Sequence, residues 1–468
     1  MRDVHPVSVI RDAEQAFFAA HPEVDLMQVA ADHVADVAQE MLPGSPGRVL
    51  VVAGPGNNGG DGLFAGVRLA RTGVQVSVWP VSSTCHEQGR QSAEAAGCLF
   101  VTARDAIAGL PDTDLVIDAV LGIGGRPGLI PEVATFAQAC ADLGIPVLSV
   151  DLPSGLAADS HQVVGAHVTA TRTVTFAAHK MCQVALPAGA ACGRVDVVDI
   201  GLDLPDSDVQ LVELADVAEH WPFPTADSDK YARGVVGLDT GSQRYPGAGV
   251  LSTTGALYAG AGMIRFCGAE RSANLIAQRL PSVTFGRGRV QAWLVGCGWG
   301  PRPDAAARIA ELAGDGVPMV LDADALPAMP EPLPAGCLIT PHAGELARLL
   351  GVTRDQVVAD PVGHARQAAT RWDATVLLKG ATQYVVAPGG RVGVALTGPH
   401  WTAQAGSGDT LAGICATLLA SGLDAWWAGL LAACVQAVAA TRRPGSWPPD
   451  RVVEALPEVL AELERLGG

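Results

Sequence analysis

Short runs of consecutive apolar residues alternate with segments of helical spacing along most of the chain. In the first half, residues 49–53 (Val-Leu-Val-Val-Ala) are wholly apolar, as in a strand buried on both faces. A glycine-rich loop follows, then a helical segment at 63–71 stopped by Gly73. Residues 74–79, 115–120 and 147–150 read as further strands, and 131–143 as a helix ending at Gly144. Strand, helix, strand in this rhythm predicts a doubly wound parallel sheet with helices on both faces, a Rossmann-like α/β layer.

Around residues 202–229 the texture changes, with Pro205, Pro222 and Pro224 among acidic side chains. The boundary is placed near Trp221, giving domains 1–220 and 221–468. The second half repeats the α/β logic with different motifs. Residues 290–295, 317–321 and 375–378 are apolar strands, and 304–313, 344–350 and 408–419 are helical. Residues 384–387 and 391–396 flank Pro388-Gly389-Gly390 as a hairpin. The long apolar stretch 411–440 is broken by Ser421-Gly422-Leu423-Asp424, which fits two packed helices better than a membrane span.

Composition narrows the class. At 468 residues the chain needs more than one core, and 49% hydrophobic residues can fill them. Lys and Arg number 31 against 48 Asp and Glu, a net charge of −17, which argues against nucleic acid or an anionic membrane as partner. The ten cysteines form no C-x-x-C pair, so a reducing, cytoplasmic setting is expected and structural zinc is not. Arg2, Asp3, His5 and Arg11 leave no apolar signal core at the start.

Three segments of the first half sit at strand ends. Gly54-Pro55-Gly56-Asn57-Asn58-Gly59-Gly60-Asp61-Gly62 lies between strand and helix, where backbone N–H groups and the helix dipole meet an anion. It is neither G-x-G-x-x-G nor a P-loop; a tight turn with Asp61 as a helix charge is the plain alternative. The others are Asp118-Ala119-Val120-Leu121-Gly122-Ile123-Gly124-Gly125-Arg126-Pro127-Gly128 and Asp151-Leu152-Pro153-Ser154-Gly155. Neighbouring strand ends share one crevice in such a sheet, so Asn58, Asp118 and Ser154 could converge as oxygen ligands. One carboxylate with neutral oxygens suits a weakly charged cation.

These motifs resemble the YjeF N-terminal domain, the NAD(P)HX epimerase family, over residues 8–215. The resemblance implies potassium at Asn58, Asp118 and Ser154. It implies contacts to hydrated NADH and NADPH (NADHX, NADPHX) from Asn57, Asn58, Gly59, Gly60, Asp61, Gly122, Ile123, Gly124, Gly125, Arg126, Pro127, Gly128 and Asp151. Inverting the C6 carbinol centre needs a group that exchanges a proton or assists loss and return of the hydroxyl. Asp151 is the candidate acid/base, with Lys180 second; a solvated strand-end charge is the alternative for Lys180.

In the second half, Gly406, Ser407 and Gly408 can turn successive N–H groups toward a phosphate at a helix start. Asp409 then stands where a carboxylate can accept a proton from an attacking hydroxyl; a dipole-complementing charge is the alternative. With Thr240-Gly241-Ser242, Tyr245-Pro246-Gly247-Ala248, Thr340-Pro341-His342-Ala343-Gly344-Glu345 and Leu378-Lys379-Gly380-Ala381, this resembles the ribokinase-like fold and, within it, the NAD(P)HX dehydratase branch, over residues 225–465. The resemblance implies nucleotide contacts at Lys379, Gly380, Ala381, Thr382, Gln383 and Gly408. It implies substrate contacts at Ala248, Gly298 or Gly300, His342 and Asp409. His342 with Glu345 reads equally as a helix cap. Gly296-Cys297-Gly298-Trp299-Gly300 departs from the family's usual Gly-Pro-Gly-Leu-Gly.

The fused pattern implies a bifunctional repair enzyme, a homo-oligomer acting on small molecules. One domain would epimerise the hydrated cofactors; the other would dehydrate the S form with ADP and Mg2+, giving AMP and phosphate. A ribokinase-like small-molecule kinase carrying a YjeF-type interaction scaffold is the competing reading.

Overall fold

The computed structural model describes residues 1–44 and 46–467. Contacts divide the chain into two compact units, Arg2–Ser207 and a second one that begins at Asp208 and includes Met1. The division thus falls earlier than Trp221, for a packing reason. Strand Val209–Leu211 pairs in parallel with Val392–Val394, and Val212, Val217, Ala218 and Trp221 are buried in the second unit's core. The proline-punctuated segment around the expected boundary is therefore largely edge and cover of the second sheet.

The first unit holds a seven-stranded parallel sheet in the order Leu99–Phe100, Gln75–Pro80, Arg48–Ala53, Leu115–Ala119, Val147–Val150, Arg172–Phe176, Arg194–Val198. Apolar clusters cover both faces. The last two strands lack apolar runs, which is why pattern alone passed over them; Arg172 pairs with Asp196 across them. Strand order reverses between Arg48–Ala53 and Leu115–Ala119. Crevices of this kind, outside the carboxyl ends at a switch point, are where open α/β sheets bind ligands.

The helix after the first central strand runs Asn57–Arg71, so it begins well before residue 63. Most of the expected glycine loop is helix. Glycine weakens a helix by about 1 kcal/mol against alanine, so sequence alone favours a loop here. Close approach decides otherwise: a Cβ on Gly59 would lie 2.0 Å from Gly54 O, and one on Gly62 would lie 2.4 Å from the Ala119 Cβ. Asp61 sits beyond the first turn rather than serving as an N-terminal helix charge.

The second unit's strands run Val209–Leu211, Val392–Val394, Tyr384–Val386, Thr375–Leu378, Leu338–Ile339, Met319–Leu321, Ala292–Val295, Val235–Asp239, Met263–Phe266, Thr284–Phe285. Pairing is parallel except on both sides of Tyr384–Val386, where the expected hairpin lies. The apolar stretch is two buried helices, Ser407–Ala420 and Ala425–Arg442. Asp424 starts the second by accepting from the N–H groups of Trp426 (2.9 Å) and Trp427 (3.0 Å). Among the described residues no helix is long and apolar enough to cross a membrane.

Helices Pro246–Tyr258 and Ser407–Ala420 cross at a pair of glycines. A Cβ on Gly413 would lie 2.1 Å from Ser252 O, and one on Gly255 would lie 2.2 Å from Thr410 O. This backbone contact helps fix the N-terminus of Ser407–Ala420, where the second site forms.

Candidate active sites

In the first unit, Asp118 ends its strand buried. Its Oδ1 accepts from Ser154 Oγ (2.6 Å), and its Oδ2 from Ser154 N (2.9 Å) and Ser149 Oγ (2.9 Å). Burial raises the Asp118 pKa, and these hydrogen bonds oppose the rise. Ser154 Oγ also accepts from Leu121 N at 2.9 Å. Two of the three expected potassium ligands therefore touch. Asn58 is carried separately, on the helix start: a Cβ on Gly122 would lie 2.9 Å from Asn58 Oδ1 and 2.8 Å from Asp151 Oδ2. Asn58 Nδ2 is buried without a hydrogen-bond partner, the kind of orphaned polar atom that a ligand satisfies. An all-oxygen set with a single carboxylate fits a monovalent cation.

Asp151 has a left-handed backbone (φ 70°). Its carboxylate is fully engaged. Oδ1 accepts from Lys180 Nζ (2.9 Å) and Thr175 Oγ1 (3.2 Å), and Oδ2 accepts from Ile123 N (2.7 Å). Lys180 is 1% exposed, so the solvated-charge alternative is overturned. Its Nζ donates further to Thr175 Oγ1 (2.6 Å) and Phe176 O (3.0 Å). Two more carboxyls face this pair. Burial, then repulsion from Asp151 and Glu14, pushes Asp61 well above the usual carboxylate range. Glu14, from helix Val7–Ala20, is also raised, by burial and then by Asp151. Glu14 was missed from sequence because nothing local marks it; it arrives by packing. Gly122 through Gly128 form the rim, with Arg126 and Pro127 exposed. Gly125 N closes a turn onto Gly122 O (2.7 Å).

In the second unit, Gly406 caps helix Ser407–Ala420 with φ 96°. Gln436 holds this turn by donating to Ser407 O (2.9 Å) and Thr410 Oγ1 (3.0 Å). Asp409 lies near Asp322 and Cys297; one ligand-type atom from each falls within 4.8 Å of the others. Asp322, at the end of strand Met319–Leu321, is already engaged. It accepts from Lys379 Nζ (2.6 Å), Thr340 Oγ1 (2.8 Å) and Cys297 Sγ (3.3 Å). Asp409 has no such partner in Lys379. Burial and the nearby Asp322 charge raise its pKa to about 7, against the pull of Lys379. Burial drives the Cys297 thiol well up, so it remains protonated between the two carboxyls. Burial works against the Lys379 ammonium, yet Asp322 and Glu345 outweigh it and its pKa is raised.

Lys379, Gly380, Ala381, Gln383 and Gly408 line one cavity of about 470 Å³, and His342 joins them. Thr382 is buried and does not line it. His342 also forms the cap: its Nδ1 accepts from Gly344 N (3.0 Å) and Glu345 N (3.2 Å), while Glu345 accepts from His342 N (2.8 Å). Ala248, Gly298 and Gly300 meet elsewhere. A Cβ on Gly298 would lie 2.4 Å from the Ala248 Cβ, and one on Gly300 would lie 3.2 Å from the Tyr245 ring. Trp299 steadies this loop by donating to Asp239 O (2.8 Å), with Arg302 stacked 4.4 Å from its ring centroid. Asp322 was not singled out from the sequence; its place just after the apolar strand Met319–Leu321 was the available signal, and its junction with Cys297 and Lys379 had none.

Both halves of the chain match known proteins. A family model described as NAD(P)H-hydrate dehydratase matches residues 236–457, and one described as the YjeF-related protein N-terminus matches residues 23–182. The bifunctional NAD(P)H-hydrate repair enzyme of Mycobacterium leprae is 39% identical over 488 residues, covering 99% of this chain and 100% of that protein. Its counterpart in Mycobacterium tuberculosis H37Rv is 40% identical over 441 residues, 90% of each chain. The solved ADP/ATP-dependent NAD(P)H-hydrate dehydratase of Bacillus subtilis, co-crystallised with ATP/Mg2+, matches with a TM-score of 0.52 and 25% identity, covering 54% of this chain and 98% of that one. With near-complete coverage in both directions and both halves matched in order, the chain belongs to the bifunctional NAD(P)H-hydrate repair enzyme family.

Proposed function

We propose that the first unit interconverts the R and S forms of NADHX and NADPHX, and that the second dehydrates the S form at the expense of ADP. The observation that carries the second half is Asp409. A carboxyl poised near pH 7, at the start of a helix whose preceding glycine turn is shaped for phosphate, suits a general base in phosphoryl transfer. Asp409 takes the proton from the C6 hydroxyl, whose oxygen attacks the terminal phosphorus of ADP while the bond to AMP breaks. The poor leaving group hydroxide has become phosphate. The ring nitrogen lone pair expels it, and loss of a C5 proton restores the reduced nicotinamide. Lys379 and the N–H groups at Gly406 to Gly408 take the developing phosphate charge. Asp322 and Cys297 do not make a magnesium cage, because Asp322 is held by Lys379 and Thr340 and a thiol is a soft donor. Magnesium would ride on the nucleotide phosphates and neutralise them.

In the first unit, Asp151 and Lys180 are the proton-handling pair, and Asp61 is a carboxyl of raised pKa beside them. Asp118, Ser154 and Asn58 would hold potassium, which would supply positive charge near the dinucleotide. The test is a mixture of R and S NADHX with ADP and Mg2+. Full conversion to NADH supports both activities; a stop at the S fraction sinks the epimerase. A stable phosphoester without NADH would replace the dehydratase by a kinase. Exchanging K+ for Li+ should slow epimerisation alone.

A further inference from the structure

A second cavity, of about 760 Å³, is lined by Gly300 and by Glu345, Arg348 and Leu349 of helix Ala343–Leu350, whereas the cavity lined by Lys379 includes that helix's cap residue His342. Its wall includes Asp324, whose charge acts on Asp409, and Gly300, three residues after Cys297 of the Asp409 cluster. Its charges do not cancel in place. Asp324 accepts from Gly300 N (2.7 Å), Glu345 from His342 N (2.8 Å), and Glu331 from Arg371 (2.9 Å). Arg302 is spent on Asp239 and Asp304. Arg348 alone among these lining groups has no carboxylate within ion-pair distance among the described residues. Its one hydrogen bond is Nε to Gly344 O at 3.2 Å, leaving the terminal guanidinium nitrogens for a ligand. In a chain of net charge −17, an exposed, unneutralised arginine at a cavity wall is a selective attraction for anions.

We infer that this cavity receives the phosphate-bearing adenylate arm of the hydrated dinucleotide, with Arg348 as its anionic anchor, while the nicotinamide end reaches Asp409 past Gly298 and Gly300. The inference rests on the dehydratase reading above. It makes Arg348 a residue that sets affinity for a dinucleotide over a mononucleotide, with no part in bond making. The experiment compares S-NADHX with hydrated reduced nicotinamide mononucleotide, which lacks the arm, using the full chain with ADP and Mg2+. Arg348→Ala should raise KM for S-NADHX about tenfold, the loss of one charge-assisted contact, with kcat within about twofold. Its KM for the mononucleotide should match wild type, and Arg348→Lys should recover part of the dinucleotide affinity. An unchanged dinucleotide KM, or equal losses for both substrates, overturns the inference and leaves the dehydratase reading standing. A wild-type chain that dehydrates neither substrate overturns both.

Discussion

Each unit buries a lysine–aspartate pair at its site, and the two pairs are used differently. Asp151–Lys180 (2.9 Å) is flanked by carboxyls of raised pKa, Asp61 and Glu14. Asp322–Lys379 (2.6 Å) is flanked by Asp409, raised to about 7. In both, a lysine holds one carboxylate, and the charge of that carboxylate raises the pKa of a neighbouring carboxyl. The acid or base beside each pair is thus shaped by the charge of the pair. The lesson is that a lysine-held carboxylate acts as an electrostatic scaffold that raises the proton affinity of the carboxyl beside it, Asp61 in one unit and Asp409 in the other.

The sharpest way to break the comparison is Asp409→Asn. Loss of the base should cut dehydration by about 100-fold to 10,000-fold while leaving epimerisation unchanged, read as NADH recovered from pure S and mixed substrate. A near-wild-type rate would remove Asp409 from its role. Next is Lys180→Met. It strands the buried Asp151 carboxylate and should destabilise the first unit by about 3–5 kcal/mol, seen as an earlier unfolding step with epimerisation lost and S-form dehydration kept. Unfolding at the wild-type temperature would mean that Asp151 needs no partner.

pH sharpens the parallel. Dehydration should rise through about pH 7 as Asp409 loses its proton. Asp322→Asn removes the neighbouring charge that lifts it, so the midpoint of the pH profile should move down; a fixed midpoint would contradict the scaffold role. The same shift affects stability. A raised folded-state pKa gives stabilisation that is complete below the unfolded value and is lost as pH rises through about 7. Asp409→Asn should therefore raise the melting temperature at pH 8 more than at pH 5. The smallest effect belongs to Gly122→Ala, whose Cβ would press on Asp151 Oδ2 at 2.8 Å. A loss of about 1–3 kcal/mol, confined to the first unit, is expected from calorimetry, with slower epimerisation.

The sequence was readable where one segment suffices. Pro131–Leu143 and Thr375–Leu378 match their expected bounds, because an apolar period closed by glycine and an unbroken apolar run are local signals. The helix start at Asn57 was not readable, since glycine's poor propensity masks a close approach that only the folded sheet imposes. A strand end marked Asp118, and a glycine turn at a helix start marked Asp409. No local signal foretells that Lys180 is buried, that Glu14 comes to face Asp151, or that Cys297 lies between Asp322 and Asp409.

The capping box at His342 has a kinetic consequence. His342 faces one cavity and Glu345 the other, from the same turn of one helix. With nucleotide in the first cavity and dinucleotide in the second, as proposed, a helix start tied by its own side chains stands between them, and neither ligand has to pass the other's chamber. Loading of nucleotide and dinucleotide should then follow random order, with intersecting initial-rate lines and no obligatory first binder.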